Sequence, residues 1–246
     1  MKRLLILSIL LFTAFSIQAA GLTGEDILKK VDETQNIERQ IVMSSMTIHS
    51  LRGSRTIKYQ SWTIGKTKSF TETLAPTRDK GTKMLKLDQN LWTYYPRADR
   101  TIKIAGHMLR QSMMGSDLSY EDMMDKGKYQ DSYDVSVESE TTFDSRPVWV
   151  LLLIAKTPDI SYQKRKLWID KERFIGLKAE LFAASGKLLK RMETQEVFKT
   201  SRGWYPKKML FKDVLKKGKG TEWIVHSVDF DTEIPSSRFQ KSALRR

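Results

Sequence analysis

Val148-Trp149-Val150-Leu151-Leu152-Leu153-Ile154-Ala155 is a run of eight apolar residues without a glycine or a proline. Its β-branched and aromatic content reads as a strand. A strand with one wet face alternates apolar and polar side chains, and this one does not, so both of its faces must be dry. Its downstream neighbours do alternate. Ile175, Leu177, Ala179 and Leu181 fall two apart with Lys178 and Glu180 between them, and Ile224, His226, Val228 and Phe230 repeat the spacing. Each set predicts one shared strand face.

Outward from that run, β-like segments recur over 39–50, 56–64, 69–74, 83–88, 91–95, 133–138, 166–170, 174–182, 188–198, 205–215 and 222–231. Turn signals separate them: Arg52-Gly53-Ser54, Asp88-Gln89-Asn90, Lys171-Glu172, Ser185-Gly186-Lys187, Arg202-Gly203 and Lys217-Gly218-Lys219-Gly220. Short strands without alternating helices predict an antiparallel meander, mainly β (α+β), and not a βαβ fold. Only two segments read as helical. One is 25–34, with Ile27, Leu28 and Val31 on one face and Thr23 as N-cap; the other is 107–126. So few helical residues do not cover a sheet of about ten strands. Either the sheet curls on itself, or an apolar ligand shares its inner face, or the chain is a plain sandwich.

The chain has 246 residues, 40% hydrophobic and 29% charged, which excludes disorder and a polytopic membrane protein. With no cysteine there is no disulfide, thiol nucleophile or thiolate metal site. The net charge of +14 points to anionic partners. Met1-Lys2-Arg3, an uncharged apolar run over 4–17, and Ala19-Ala20 form the pattern of a secretory signal peptide, residues 1–20, cleaved near Ala19/Ala20. That leaves one exported domain, 21–246, and makes nucleic acid a poor partner despite the charge and the six tryptophans.

No sequence motif of catalysis or of phosphate or metal binding occurs. His49 and His226 lie within strands and His107 opens a helical segment; Asp229, Asp231 and Glu233 read as structural. The expectation is a non-enzyme with no catalytic residue, cofactor or metal. Lys164-Arg165-Lys166, Lys207-Lys208 and the group Lys212, Lys216, Lys217 and Lys219 read as a solvated face. Among them Lys207, Lys208, Lys212 and Lys216 are candidates for contact with headgroups or a partner.

The stretch 107–124 holds five of the eleven methionines. Ser119 with Asp122 three residues on is a capping-box variant that starts a short helix near Tyr120. Gly106, Gly115 and Gly127 bracket two short helices whose apolar side chains must rest on something. Methionine adapts to irregular partners such as an acyl chain. The insert, about 106–127, is thus either a lid or a permanently packed pair of helices.

In order along the chain, several further motifs accompany these features. They are Lys80-Gly81-Thr82-Lys83, Leu91-Trp92, Tyr95-Pro96, Gly115-Ser116-Asp117-Leu118-Ser119-Tyr120-Glu121-Asp122, Trp168-Ile169-Asp170, Leu177-Lys178-Ala179-Glu180, Gly186-Lys187, Trp204-Tyr205-Pro206 with Met209, and Ile234-Pro235 with Phe239. Together they resemble the LolA-like outer-membrane lipoprotein-sorting family, in the branch with a GSD-x-SYED box, over essentially the whole exported chain. The resemblance implies a large curved antiparallel sheet, an unclosed half-barrel, with short helices covering its concave face and an apolar cavity between. It implies a periplasmic carrier of lipid or lipoprotein acyl chains. Its partners would be an inner-membrane exporter of RND or ABC type, an outer-membrane acceptor and, transiently, the membranes themselves. A sensing or accessory binding protein of the envelope is the alternative.

Each acyl CH₂ left in water costs ~0.8 kcal/mol, so a chain of about fifteen needs a dry shelter to cross an aqueous gap. The candidate shelter has Met108, Leu109, Met113, Met114, Leu118 and Met123 above. Trp92 and one face of the 148–155 run lie below, either Val148, Val150 and Leu152 or Trp149, Leu151 and Leu153.

Overall fold

The computed structural model describes residues 21–35, 38–51, 53–124 and 129–245. The expected signal peptide and residues 125–127 of the insert lie outside the described residues. Thirteen strands form one antiparallel sheet: β1 (Arg39–Ser50), β2 (Gly53–Ile64), β3 (Lys68–Ala75), β4 (Lys83–Leu87), β5 (Asn90–Tyr95), β6 (Arg100–Ile104), β7 (Tyr133–Phe143), β8 (Arg146–Ala155), β9 (Lys164–Asp170), β10 (Gly176–Phe182), β11 (Leu188–Thr200), β12 (Gly203–Asp213) and β13 (Gly220–Asp229). The spatial order is β6-β5-β4-β3-β2-β1-β13-β12-β11-β10-β9-β8-β7. β1 and β13 pair in the middle, so two meanders run outward from them. β6 and β7 are the free edges, and the barrel is unclosed. The chain between those edges is the methionine-rich insert.

Sequence patterning missed β6, whose Arg100, Thr101 and Lys103 hide the alternation of Ile102 and Ile104. Two expected faces are also split, each by a bulge. Ser44 pairs with Val225 but Met43 with Ser227, so His226 is the extra residue and Ile224 and Val228 do not share a face. A register shift between Gly176 and Lys178 separates Ala179, which faces α1 (Gly24–Gln35), from Ile175 and Leu177, which pack with Val148 on the opposite face. A bulge adds one residue to one strand, and with a side-chain period of two that reverses every later side chain.

Register fixes which residues share the inner face. Arg55, Ile48, Thr221, Phe211, Met192, Ala179, Leu167 and Leu151 are successive cross-strand partners from β2 to β8. Side chains directly opposite in a ladder project to the same side. Along that one face α1 sets Ile27, Leu28 and Val31 against Tyr133, Leu151, Leu153, Leu167 and Ile169. Farther along, the insert sets Met113, Leu118 and Tyr120 against Met46, Ile48, Ile57, Tyr59, Leu91 and Ile104. Helical pieces therefore lie on both halves of the concave face, α1 on one and the insert on the other. α1 starts as expected: Thr23 Oγ1 accepts from the Asp26 amide and the Thr23 amide donates to Asp26 Oδ2, both at 3.1 Å.

The outer face has its own cover. Two 3-10 turns near the C-terminus, Ser236–Phe239 and Lys241–Arg245, lay Phe239 and Leu244 on Trp62, Phe70 and Leu85. The central apolar run is dry on both sides, as its lack of alternation requires. Val148 and Val150 are buried on the outer side and Leu151 and Leu153 on the inner; only Ile154, at the rim, is exposed.

Candidate functional site: the methionine insert on the concave face

The insert is more broken than two helices. It comprises 3-10 turns over Gly106–Arg110 and Met113–Gly115 and the five-residue helix α2 (Tyr120–Met124); a further short helix, α3 (Tyr129–Ser132), leads into β7. Ser112 bridges to Ser119, and between them the chain reverses through Met114 at φ 50° and Gly115 at φ 79°. Left-handed backbone ends a helix there, and the short polar side chains of Ser112, Ser116 and Asp117 compete with helical hydrogen bonds. Met114 has a Cβ and so carries a cost of ~1–2 kcal/mol in that conformation. It is held from both ends: the Arg55 guanidinium donates to its carbonyl, and Tyr59 Oη donates to its sulfur at 3.3 Å. Beneath it Tyr59 stacks on Trp223, ring centroids 5.7 Å apart. Burial pushes the Tyr59 hydroxyl well above the usual phenol range, so it remains a donor.

Three polar clamps fix the insert to the sheet. At the first, the buried Asp117 carboxylate accepts from the Asp213 amide (2.9 Å) and the Thr221 hydroxyl (2.7 Å), while its own amide donates to that hydroxyl (3.0 Å). The Lys216 ammonium donates to Ser112 Oγ and the Ser116 carbonyl beside it. At the second, the capping box forms as expected. The Ser119 amide donates to Asp122 Oδ2 at 2.7 Å and the Asp122 amide donates back to Ser119 Oγ at 3.3 Å. Asp122 also accepts from Tyr162 Oη at 2.7 Å and pairs with the Lys190 ammonium. Burial alone would raise this carboxyl, but Lys190, the Ser119 amide and the Tyr162 hydroxyl together hold it below its ordinary value. At the third, Lys86 Nζ donates to the Met124 carbonyl at 3.1 Å. Between the clamps the contact is mainly apolar, joined by the Arg55 and Tyr59 bonds to Met114 and by the paired hydroxyls of Tyr95 and Tyr120.

The site residues expected from sequence separate into three groups. Met108, Leu109, Met113, Met114, Leu118 and Met123 do come together, with Met124, over one apolar cluster. Trp149, Leu151 and Leu153 are on the inner face, which settles the choice between the two sets, but they lie under α1 on its other half. Trp92 is on the wrong side. Leu91 packs under the insert, so Trp92, one residue on, projects to the outer face. There it lies between Lys103 and Lys241, at 5.9 and 4.5 Å from its ring centroid.

The lysines differ too. Lys212 Nζ donates to the carbonyls of Lys216 and Gly218, and Lys216 holds the insert, so both ammonium groups are engaged within the protein. Lys207 and Lys208 pair with Glu196 and Glu222, at 3.0 and 2.8 Å. Arg165 is buried among the rings of Tyr129, Tyr133 and Tyr162, not on the solvated face expected for its triplet.

On this half of the concave face the insert rests on the floor itself. Met113 is wholly buried among Met46, Ile57 and Tyr59, and the insert's own side chains take the room above the floor. Two pockets of about 330 and 260 Å³ open elsewhere. One lies by residues 198–201 and 228–231, the other against the C-terminal turns. Flexible thioethers fill an irregular gap that would otherwise forfeit its dispersion contacts. Among the described residues no three His, Asp or Glu side chains are placed to hold a metal ion, and no helix is long and apolar enough to cross a membrane. The residues that sequence reasoning missed are Arg55, Tyr59, Asp117, Tyr162 and Lys190. Asp117 stands inside a recognisable motif, but its partners are about a hundred residues away.

A family model described as "Uncharacterized protein" matches residues 65–246. No curated relative matches the chain. Among solved structures, a DUF1329 family protein of Desulfovibrio piger superposes with a TM-score of 0.84 at 22% identity, covering 90% of this chain and 97% of that one. A domain assigned to outer membrane lipoprotein sorting, from Vibrio parahaemolyticus, gives 0.83 at 23%, over 91% and 98%. A LolA superfamily protein of Nitrosomonas europaea gives 0.75 at 22%, over 91% and 100%. The chain belongs to the family whose model spans residues 65–246, and its unclosed, plugged half-barrel is the LolA-like fold.

Proposed function

We propose that this chain is a periplasmic carrier that shelters lipid or lipoprotein acyl chains on its concave face and moves them between envelope membranes, without catalysing a reaction. The observation that carries the reading is the methionine insert. It is an apolar plug seated on an apolar floor and tied down mainly by polar contacts at a few points. Removing the plug would expose Met46, Ile48, Ile57 and Tyr59, the kind of surface an acyl chain needs. In this reading plug and ligand compete for one floor. A ligand offsets the exposure of that floor, and the returning plug expels the ligand at the acceptor. The similarity to a lipoprotein-sorting domain supports the cargo class.

The chain has no cysteine, so a single engineered pair tests this cleanly. Thr221 Oγ1 meets both the Asp117 backbone nitrogen, at 3.0 Å, and Asp117 Oδ2, at 2.7 Å, so the two backbones lie close together. With Asp117→Cys and Thr221→Cys, the oxidised protein should hold the insert shut and take up no lipid; on reduction the same protein should load. Native mass spectrometry of periplasmic protein reads both states. Equal loading in the two states, or no lipid on the wild type, rejects the proposal.

A further inference from the structure

Two neighbouring turns at one end of the sheet hold leucines out into solvent. Leu51, in the β1–β2 turn, is 77% exposed, and Leu215, in the β12–β13 turn, is 58% exposed. β1 and β13 are adjacent, so the turns are neighbours, and they touch. Gly218, at φ +114°, approaches so closely that a Cβ there would fall 2.5 Å from the His49 carbonyl oxygen. Neither turn is slack. Lys212 Nζ bonds the Lys216 and Gly218 carbonyls at 2.6 and 2.9 Å, and the Leu215 amide donates to Asp213 Oδ1 at 3.0 Å. Ser50 Oγ bonds the Gly53 carbonyl at 2.9 Å in the other turn. Lys217 and Lys219 flank Gly218. Both are exposed, and among the described residues neither has an ion-pair partner.

We propose that this pair of turns is a bilayer-docking tip: Leu51 and Leu215 enter the boundary between headgroups and acyl chains of an anionic membrane, and Lys217 and Lys219 meet its phosphates. Two leucines on convex tips offer far too little area for a protein interface, which needs about 800 Å² on each partner. A bilayer, by contrast, accepts single protruding apolar side chains beside cations. The chain's net charge of +14 favours the same partner. The tip is also wired to the plug. Lys216, in the same turn, donates to Ser112 and Ser116 of the insert. A headgroup phosphate that draws this ammonium away loosens the first clamp where the protein meets its membrane. That last step rests on the carrier reading; the docking itself does not.

Vesicle flotation of the chain from residue 21 onward tests the tip. We expect binding to phosphatidylethanolamine vesicles containing phosphatidylglycerol. Leu51→Ser with Leu215→Ser should weaken it about tenfold or more. Lys217→Gln with Lys219→Gln should weaken it about fivefold per lysine, and leave any residual binding to phosphatidylcholine vesicles unchanged. All four positions are exposed, so an unchanged melting transition establishes that the variants are folded. If the serine variant floats as the wild type does, or the wild type ignores the anionic vesicles, the tip is refuted. Lipid that co-purifies with the protein reports the carrier reading separately. A serine variant that keeps its lipid but loses flotation supports the tip.

Discussion

The Asp117 carboxylate accepts from two groups, the Asp213 amide and the Thr221 hydroxyl, and that hydroxyl in turn accepts from the Asp117 backbone N–H. Asp117→Ala leaves donors buried without acceptors, at about 1–3 kcal/mol each. Asp117→Asn keeps one carbonyl oxygen for the amide and turns its NH₂ toward a hydroxyl that can accept. The alanine variant should therefore lose amide-exchange protection across residues 112–120 while α1 keeps its own, and the asparagine variant should lie close to wild type. Protection at 112–120 that survives the alanine substitution would remove Asp117 from the role of clamp. Single residues were the hardest level to read from sequence. Trp92 stands in the candidate floor, yet one residue of strand parity places it outside. Lys216 looked like a headgroup ligand because its neighbours are lysines, yet the fold turns it toward Ser112.

α2 is short and would not persist alone, since nucleating a single turn is unfavourable. Its capping box and its bridge to Lys190 and Tyr162 hold it in place. The Asp122 carboxyl titrates below its ordinary value of 3.8 in the folded chain. A group depressed by folding stabilises the folded state above its unfolded pKa, and that contribution is lost as pH falls through the folded value. Acid below about pH 4 should thus release α2. Asp170, also held low against its burial by Arg146 and the amides of Arg173 and Glu172, weakens the β9–β10 turn in the same range. Lys190→Met separates the two. It removes the main counter-charge of Asp122 only, so release of α2 should move to higher pH while the β9–β10 turn is unaffected. Amide exchange of residues 119–124 against pH measures this, and coincident curves for variant and wild type would contradict it. At this scale the sequence is most legible where chemistry is local. The Thr23 N-cap and the Ser119–Asp122 capping box start their helices where expected, and most strand segments fall within two or three residues of their places. Bulges escape because periodicity assumes an uninterrupted backbone, and so does the left-handed Met114, whose side chain gives no turn signal.

An open sheet of thirteen strands has two faces to keep dry, and this molecule covers them by different means. The outer face near β2–β5 is sealed by the C-terminal turns, which set Ile234, Phe239 and Leu244 against Trp62, Phe70 and Leu85 and lay Arg238 and Lys241 over Trp62 and Trp92. The inner face is sealed by α1 on one half and by a clamped, methionine-lined plug on the other. Pattern alone left a curled sheet and a sandwich open, because the pairing of β1 with β13 joins residues about 180 apart in sequence; the family resemblance, not the periodicity, favoured the half-barrel. If the two covers are independent, stability and loading should come apart. Leu244→Ala opens a cavity in a fully buried site on the outer face and should lower unfolding stability by about 2–4 kcal/mol. It touches nothing on the concave side, so lipid loading per folded molecule should not change. Met113→Ala removes a comparable volume from the inner face, but by thinning the plug it should alter loading as well. Urea denaturation with parallel lipid quantification distinguishes the cases. Parallel loss of loading and stability in Leu244→Ala would mean that the sheet transmits strain between its faces, and the plug could then no longer be treated as a device of the concave side alone.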